Sequence, residues 1–357
     1  MPIGIRRLAP ASIAMFAALL LACGSGSGGS QTSTSAAPQP TPAATPAAPT
    51  GETLGFVISS FGYLYPQHDG EVCPLGFNWA PGEFANDGQP IEDDCLDPEA
   101  GFDPRFQSLL ADGSGLGFDL DGHSSSANAP AAGECAHDDF SGPGGESGYD
   151  FNLWRVLGCI RGHQPGEIAD TIVDNSVRDG SSTILIEVSG VDDVENDESV
   201  TVRVFASTDA PATAADGSLL PFGTLSTHAD ARYHGTVASG AIVDGVVTAG
   251  PTDFRWRLNI QIVETDLSLK DAYVRLEIGD DGTASGQFVG YTGIDEMYEI
   301  FGKQAGQAGA AALGYTCTGL WSALQHNADG DYNPATGTCS SVSAAYRFEA
   351  VPAFVAK

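Results

Sequence analysis

Lysine is almost missing from this chain: only Lys270, Lys303 and Lys357 occur in 357 residues. Lys and Arg together number 15 against 46 Asp and Glu, a formal charge of −31. Phosphate backbones are held by clustered cations, so nucleic acid is excluded as a partner. Such a surface also repels anionic lipid and draws in cations. Catalytic signatures are missing as well. No GxSxG elbow, SxxK, GxxxxGK[ST] or HExxH occurs, so no nucleophile, phosphate cradle or zincin helix is marked out and no catalytic residue is assigned. No CxxC or Cys/His pair has zinc-finger spacing. With 42% hydrophobic residues, the chain nonetheless has enough apolar material for a packed core.

The N-terminus carries the most specific signal. Arg6 and Arg7 precede the uncharged apolar stretch Ile13 to Ala22, which is the length of a signal-peptide core and too short to span a bilayer comfortably. It ends in Leu20-Leu21-Ala22-Cys23, which resembles the lipobox of bacterial lipoproteins. That resemblance implies cleavage before Cys23, lipidation of its sulfur and membrane attachment through the lipid. With Gly24 rather than Asp after the cysteine, it further implies the outer membrane, on its periplasmic or surface face. Residues 1–22 are thus read as signal and 23–52, rich in Gly, Ser, Pro and Ala, as a flexible tether. Residues 53–357 are read as one β-rich globular domain, since no second linker interrupts them.

The remaining six cysteines, Cys73, Cys95, Cys135, Cys159, Cys317 and Cys339, form an even set, which in an exported chain predicts up to three disulfides. Their order suggests local couples, Cys73 with Cys95, Cys135 with Cys159 and Cys317 with Cys339, with 21, 23 and 21 residues between partners.

Apolar alternation predicts strands at residues 183–188 and 200–205 around an acidic tip, and a single strand over 254–263. Residues 272–278 and 283–291 flank Gly279-Asp280-Asp281-Gly282, a hairpin signal, and 346–355 read as a last strand. Short turns between strands predict a mainly β fold, an antiparallel sandwich or jelly-roll-like pair of sheets with two or three packed helices and disulfide-stapled loops. One helix is expected after a cap at Asp150, one after Pro165, and one from Ile294 that dissolves into Gly- and Ala-rich sequence.

Aspartate outnumbers glutamate 30 to 16, and Asp is both the turn-forming acid and the short ligand of calcium loops. The first candidate calcium site gathers Asp119, Asp121, Asp139, Asp150 and Asn152, with Gly122 permitting a tight turn; its plain alternative is an acidic loop of Asx turns. The second is Asn327-Ala328-Asp329-Gly330-Asp331-Tyr332-Asn333, which resembles the opening of an EF-hand or dockerin-type loop. Tyr332 stands where the turn glycine belongs and Thr338 where the bidentate Glu belongs. The segment therefore reads as a looser calcium loop of Asn327, Asp329, Asp331 and Asn333. The tip from Asp192 to Glu198 is a third, weaker candidate. His123 and His137 beside these acids pose a transition-metal alternative. Trp79, Trp154, Trp256 and Trp321 offer faces on which a glycan could stack, or core rings.

Two functional readings follow. In the first, the chain is a lipid-anchored exported binding or structural protein with calcium-stabilised loops and a glycan or protein ligand. In the second, it is an exported hydrolase using a metal or paired carboxylates around Asp119, Asp121, His137, Asp139 and Asp150.

Overall fold

The computed structural model describes residues 51–66, 73, 93–100, 115, 117–126, 133, 135, 137–142, 144–260 and 263–357; the signal, Cys23, Trp79 and the tether up to residue 50 lie outside them, and Glu52, read as the tether's last residue, opens the first strand. Nine strands occur among these residues: β1 (Glu52–Tyr63), β2 (Ile184–Val191), β3 (Asn196–Ala206), β4 (Gly223–Ser226), β5 (His234–Val243), β6 (Val246–Ile260), β7 (Val263–Ile278), β8 (Ala284–Gly293) and β9 (Ser341–Ala356). They hydrogen-bond in the order β1-β2-β3-β5-β6-β7-β8-β9, antiparallel throughout, while β4 pairs parallel with the end of β9. β1 gives residues 52–57 to β2 and residues 56–63 to β9. The sheet thus closes into a staggered ring, which leaves no long unpaired edge among the described strands. The fold is mainly β with packed helices and disulfide-stapled loops, as expected, and one curled sheet supplies both facing layers of the core.

Side-chain alternation explains the filling of the ring. Phe254 and Trp256 on β6, Phe288 on β8 and Phe348 on β9 are at most 2% exposed, with centroid spacings such as 5.5 Å for Trp256–Phe288 and 4.9 Å for Phe288–Phe348. Each buried Phe contributes roughly 1.5–3 kcal/mol of burial energy. β2 is buried along its whole length because its two faces meet different partners. Ile184, Ile186 and Val188 join the main core. Leu185 packs outside the ring with Val57, Phe205, Leu219, Leu225 and Ala353, in a small cluster covered by the segment that carries β4.

In an antiparallel ring β1 and β8 run the same way, so the β1–β2 and β8–β9 connections emerge at one end. The first carries α1 (Leu153–Leu157) and α2 (Ile168–Arg178); the second carries α3 (Ile294–Tyr298), α4 (Gly306–Leu313) and α5 (Cys317–Asn327). Together they cap that end. α2 docks on β1 through Asp174, which accepts from Ser60 Oγ at 2.9 Å and Phe61 N at 3.0 Å, and through Asp170, which accepts from Tyr65 at 2.6 Å and pairs with Arg347 at 3.2 Å.

The six cysteines form three disulfides, Cys73–Cys159, Cys95–Cys317 and Cys135–Cys339, with Cα separations of 5.7, 4.8 and 6.2 Å. Every expected neighbour couple is split. Two of the bridges cross from the first connection to the second, because the topology brings those two excursions together over the same end while the ring separates them in sequence.

Other sequence expectations shift locally. The strand expected over 254–263 is two strands, since β6 ends at Ile260 and β7 begins at Val263. The Gly- and Ala-rich stretch stays helical as α4 and ends at Gly314, whose φ of 91° lies in the left-handed region that favours glycine. Asn152, not Asp150, occupies the residue before α1 and makes no side-chain cap. Trp154 and Trp256 are buried, so those two rings serve packing, while Trp321 is half-buried, edge-on to Tyr298 at 5.0 Å.

Candidate functional site

The residues around Asp119 fold back on themselves through their own backbone. Asp119 Oδ1 accepts from Gly122 N at 2.7 Å and His123 N at 3.1 Å, and Asp121 Oδ1 accepts from His123 N at 2.7 Å. Gly122, at φ 79°, makes the turn possible. Asp150 is then clamped against this turn from both sides: its N–H donates to Phe118 O at 3.0 Å, and its Oδ2 accepts from Leu120 N at 2.7 Å. Gly148, at φ 91°, lets the chains approach, since a Cβ there would lie 2.8 Å from the carbonyl oxygen of His123 and 3.2 Å from Asp119 Oδ2. The outcome is a group of three carboxylates, Asp119, Asp121 and Asp150, each offering an oxygen within 4.8 Å of the other two. Asp119 is exposed, Asp121 half-buried and Asp150 buried, so the group runs from solvent inward.

A second segment meets it from far along the chain. Asp329 Oδ1 accepts from Ser343 N at 2.7 Å, and its Oδ2 accepts from Ser343 Oγ at 2.6 Å and Asn152 Nδ2 at 2.7 Å. Asn152 N in turn donates to Ser343 Oγ at 2.8 Å. Asp329 is therefore fixed at the start of β9, on the outer wall of the ring, and carried to within electrostatic reach of Asp150. Asn152 is 3% exposed and its acceptor Oδ1 has no hydrogen-bond partner. Asp139 takes a hydrogen bond from Ser125 N.

Burial sets the charge states. Loss of solvent pushes the Asp150 carboxyl up to about 9, helped by the negative charges of Asp329, Asp121 and Asp139 and opposed by the Leu120 N–H. Asp329 is pushed up to about 6 by burial, against the pull of Ser343, Asn152 and Arg155. Arg155 is the cation beside Asp329, Asp138, Asp139 and Asp150, and burial brings it down to about 10. Its guanidinium lies 4.3 Å over the Phe140 ring and donates to the Asp138 carbonyl. One guanidinium faces at least four carboxylates, so the pocket carries excess negative charge whenever those acids ionise.

The expected residues thus separate into those gathered and those scattered. Asp119, Asp121, Asp139, Asp150 and Asp329 come to one neighbourhood. Asn327 ends α5 with its Nδ2 on Ala323 O at 2.8 Å, Asp331 pairs with Lys270 at 3.1 Å, and Asn333 uses its Oδ1 to hold a turn with Ala335 N at 2.9 Å. The Asp192 to Glu198 tip is a solvated hairpin turn whose acids accept from nearby backbone N–H groups. Among the described residues, no histidine belongs to a group of three metal-binding side chains. His137 has its Nε2 3.2 Å from Ala328 O. The other such group, Asp94 with Cys95 and Cys317, has its two sulfurs joined in a disulfide and offers no thiolate. Sequence reasoning passed over Ser343 and Arg155. Arg155 carried a usable signal, as the cation nearest in sequence to Asp150; Ser343 carried none.

An all-oxygen donor set of short acids suits a hard cation such as calcium, which takes about six to eight oxygens, better than zinc. No protein family, curated protein or solved structure matches the chain, so this site is read from its own geometry.

Proposed function

We propose that this is an exported, lipid-anchored binding or structural protein of the cell envelope, whose capped barrel is locked by calcium. The observation that carries the reading is the convergence of Asp119, Asp121 and Asp150, with oxygens within 4.8 Å of one another. Carboxylates this close repel one another unless protons or a cation intervene. The three acids belong to the connection after β1, and Asp329, from the connection before β9, adds its charge within electrostatic reach of Asp150, so an ion held by the three also relieves repulsion from the other half of the cap. The acids occupy a seam between segments, the placement of a structural ion.

Elemental analysis of the full chain purified in calcium buffer should find about one calcium per chain, and EDTA should lower its melting temperature. No retained calcium together with an EDTA-insensitive melt sinks the ion. The anchor rests separately on Leu20-Leu21-Ala22-Cys23. Cells given labelled palmitate should mark the wild-type chain in the membrane fraction, and Cys23→Ser should lose both label and membrane association. Equal labelling of the variant would rule the lipoprotein reading out.

A further inference from the structure

Inside the capped end of the ring lies a cavity of about 60 Å³. Its floor is the end of the aromatic core, Phe61 and Tyr346, its walls include Leu258 and Leu267, and its roof comes from Ile172 and Val173 of α2, Phe301 and His163. Nearly all of this lining is carbon, with two exceptions that matter. His163 is 1% exposed and neither of its ring nitrogens has a hydrogen-bond partner. Tyr346, 3% exposed, likewise has a hydroxyl without one. The His163 ring is held edge-on to Tyr63 at 5.3 Å and to Phe301 at 5.6 Å, so it cannot swing to solvent without unpacking the cap.

A buried donor or acceptor left unmade costs on the order of 1–3 kcal/mol, and here two residues that carry such atoms line one space. We propose that this cavity is a binding site for a small neutral molecule bearing one hydroxyl, of the size and polarity of a short-chain alcohol, with its oxygen held by His163 and Tyr346. The chemistry selects each property. A hydroxyl both donates and accepts, which matches a neutral imidazole with one N–H and one bare nitrogen and a phenol that can do either. The apolar lining takes an alkyl tail. Burial draws the histidine down to about 4 against the pull of Asp170, which is itself paired with Arg347, so the imidazole is neutral at neutral pH and offers no counter-ion to an anion, while the carbon walls refuse a cation. At about 10–15 Å³ of such space per water-sized group, the volume takes roughly four to six heavy atoms. Barrel mouths are places where small ligands bind. The cavity is inside the ring and the carboxylates are on its outer wall, so the inference does not rest on calcium.

The test is a titration of the ¹⁵N-labelled full chain with n-butanol, reading histidine ring nitrogens by long-range ¹H–¹⁵N correlation, with n-butylammonium as a charged isostere. One histidine, identified by its absence in His163→Phe, should shift saturably with butanol and stay still with butylammonium. Tyr346→Phe should weaken the apparent affinity by about tenfold, equivalent to roughly 1.4 kcal/mol. Ile172→Trp, which fills the cavity from the α2 side, should abolish saturation and serves as the blocking variant if His163→Phe does not fold. A His163 signal that does not saturate, that responds equally to butylammonium, or that saturates unchanged in Ile172→Trp overturns the proposal; water alone filling the space gives the first of these results.

Discussion

Two acid-rich stretches of this chain look alike as sequence and behave oppositely in the fold. The hairpin tip between β2 and β3 holds Asp192, Asp193, Glu195, Asp197 and Glu198, and the cap seam holds Asp119, Asp121, Asp150 and Asp329. At the tip, Asp197 accepts from the N–H groups of Asp192 and Ser199 at 2.8 and 2.9 Å at the surface, and those bonds hold its carboxyl below the usual range. At the seam, Asp150 and Asp329 also accept backbone N–H bonds, yet burial outweighs them and pushes both carboxyls upward. The same residue type with the same kind of hydrogen bond is thus a satisfied turn in one place and a strained, charge-excess pocket in the other. Desolvation decides between them. An acidic run becomes a candidate cation site only where the chain removes it from water.

The sharpest way to break this comparison is to delete one acid from each stretch. Asp329→Ala removes the acceptor of Ser343 N, Ser343 Oγ and Asn152 Nδ2 and a charge partner of Arg155. Stripping one partner from a buried charged network costs about 3–5 kcal/mol, so its urea midpoint should fall steeply. Asp197→Ala, at the solvated tip, loses only two exposed backbone hydrogen bonds and should lower the midpoint far less. If the two variants unfold together, the seam holds nothing that the tip does not, and the distinction collapses.

The seam was half legible in sequence, for reasons that separate its parts. Asp119, Asp121 and Gly122 form a turn within five residues, and such turns are written locally. Asp150 lies on a return that hydrogen-bonds the same turn, and the sequence reading groups it with Asp119 and Asp121 as an oxygen ligand. Asp329 was read as part of its own loop, with Asn327, Asp331 and Asn333, but β9 takes Asp329 through Ser343 and leaves Asp331 to Lys270. Local spacing cannot report which of two loops a distant strand will claim. The fold divides the same way. Alternation in β2, β3, β7 and β8 was readable, and so was the Asp-Gly hairpin between the last two. The closure of β1 on β9 was not, because it pairs the two ends of the domain. The disulfides failed for the same cause: Cys95 and Cys317 lie 222 residues apart, and only the ring's topology makes them neighbours.

A gentler measurement sharpens the contrast by following protons instead of deleting acids. Unfolded Asp titrates near 4, and folded Asp150 at about 9, so in the ion-free protein the native state holds a proton that the unfolded state has released across that interval. Binding more protons when folded means that stability falls as pH rises. Below about pH 6.5 this loss is opposed. His163, brought down to about 4, and His137, also lowered by burial, are proton-poor when folded and contribute stability that grows with pH up to the unfolded histidine value. The loss from Asp329 ends near its folded value of about 6. From about pH 7 to 9 Asp150 is therefore left to set the slope, at up to roughly 1.4 kcal/mol per pH unit. Urea melts in EDTA should show that decline, and Asp150→Asn should flatten it, while Asp197→Ala should not alter it. Calcium should reverse the dependence in wild type, because the ion occupies the carboxylates only as protons leave, so the stabilisation it brings increases toward high pH. An EDTA curve that is level between pH 7 and 9, or that Asp150→Asn leaves sloping, would show that the seam is as wet as the tip.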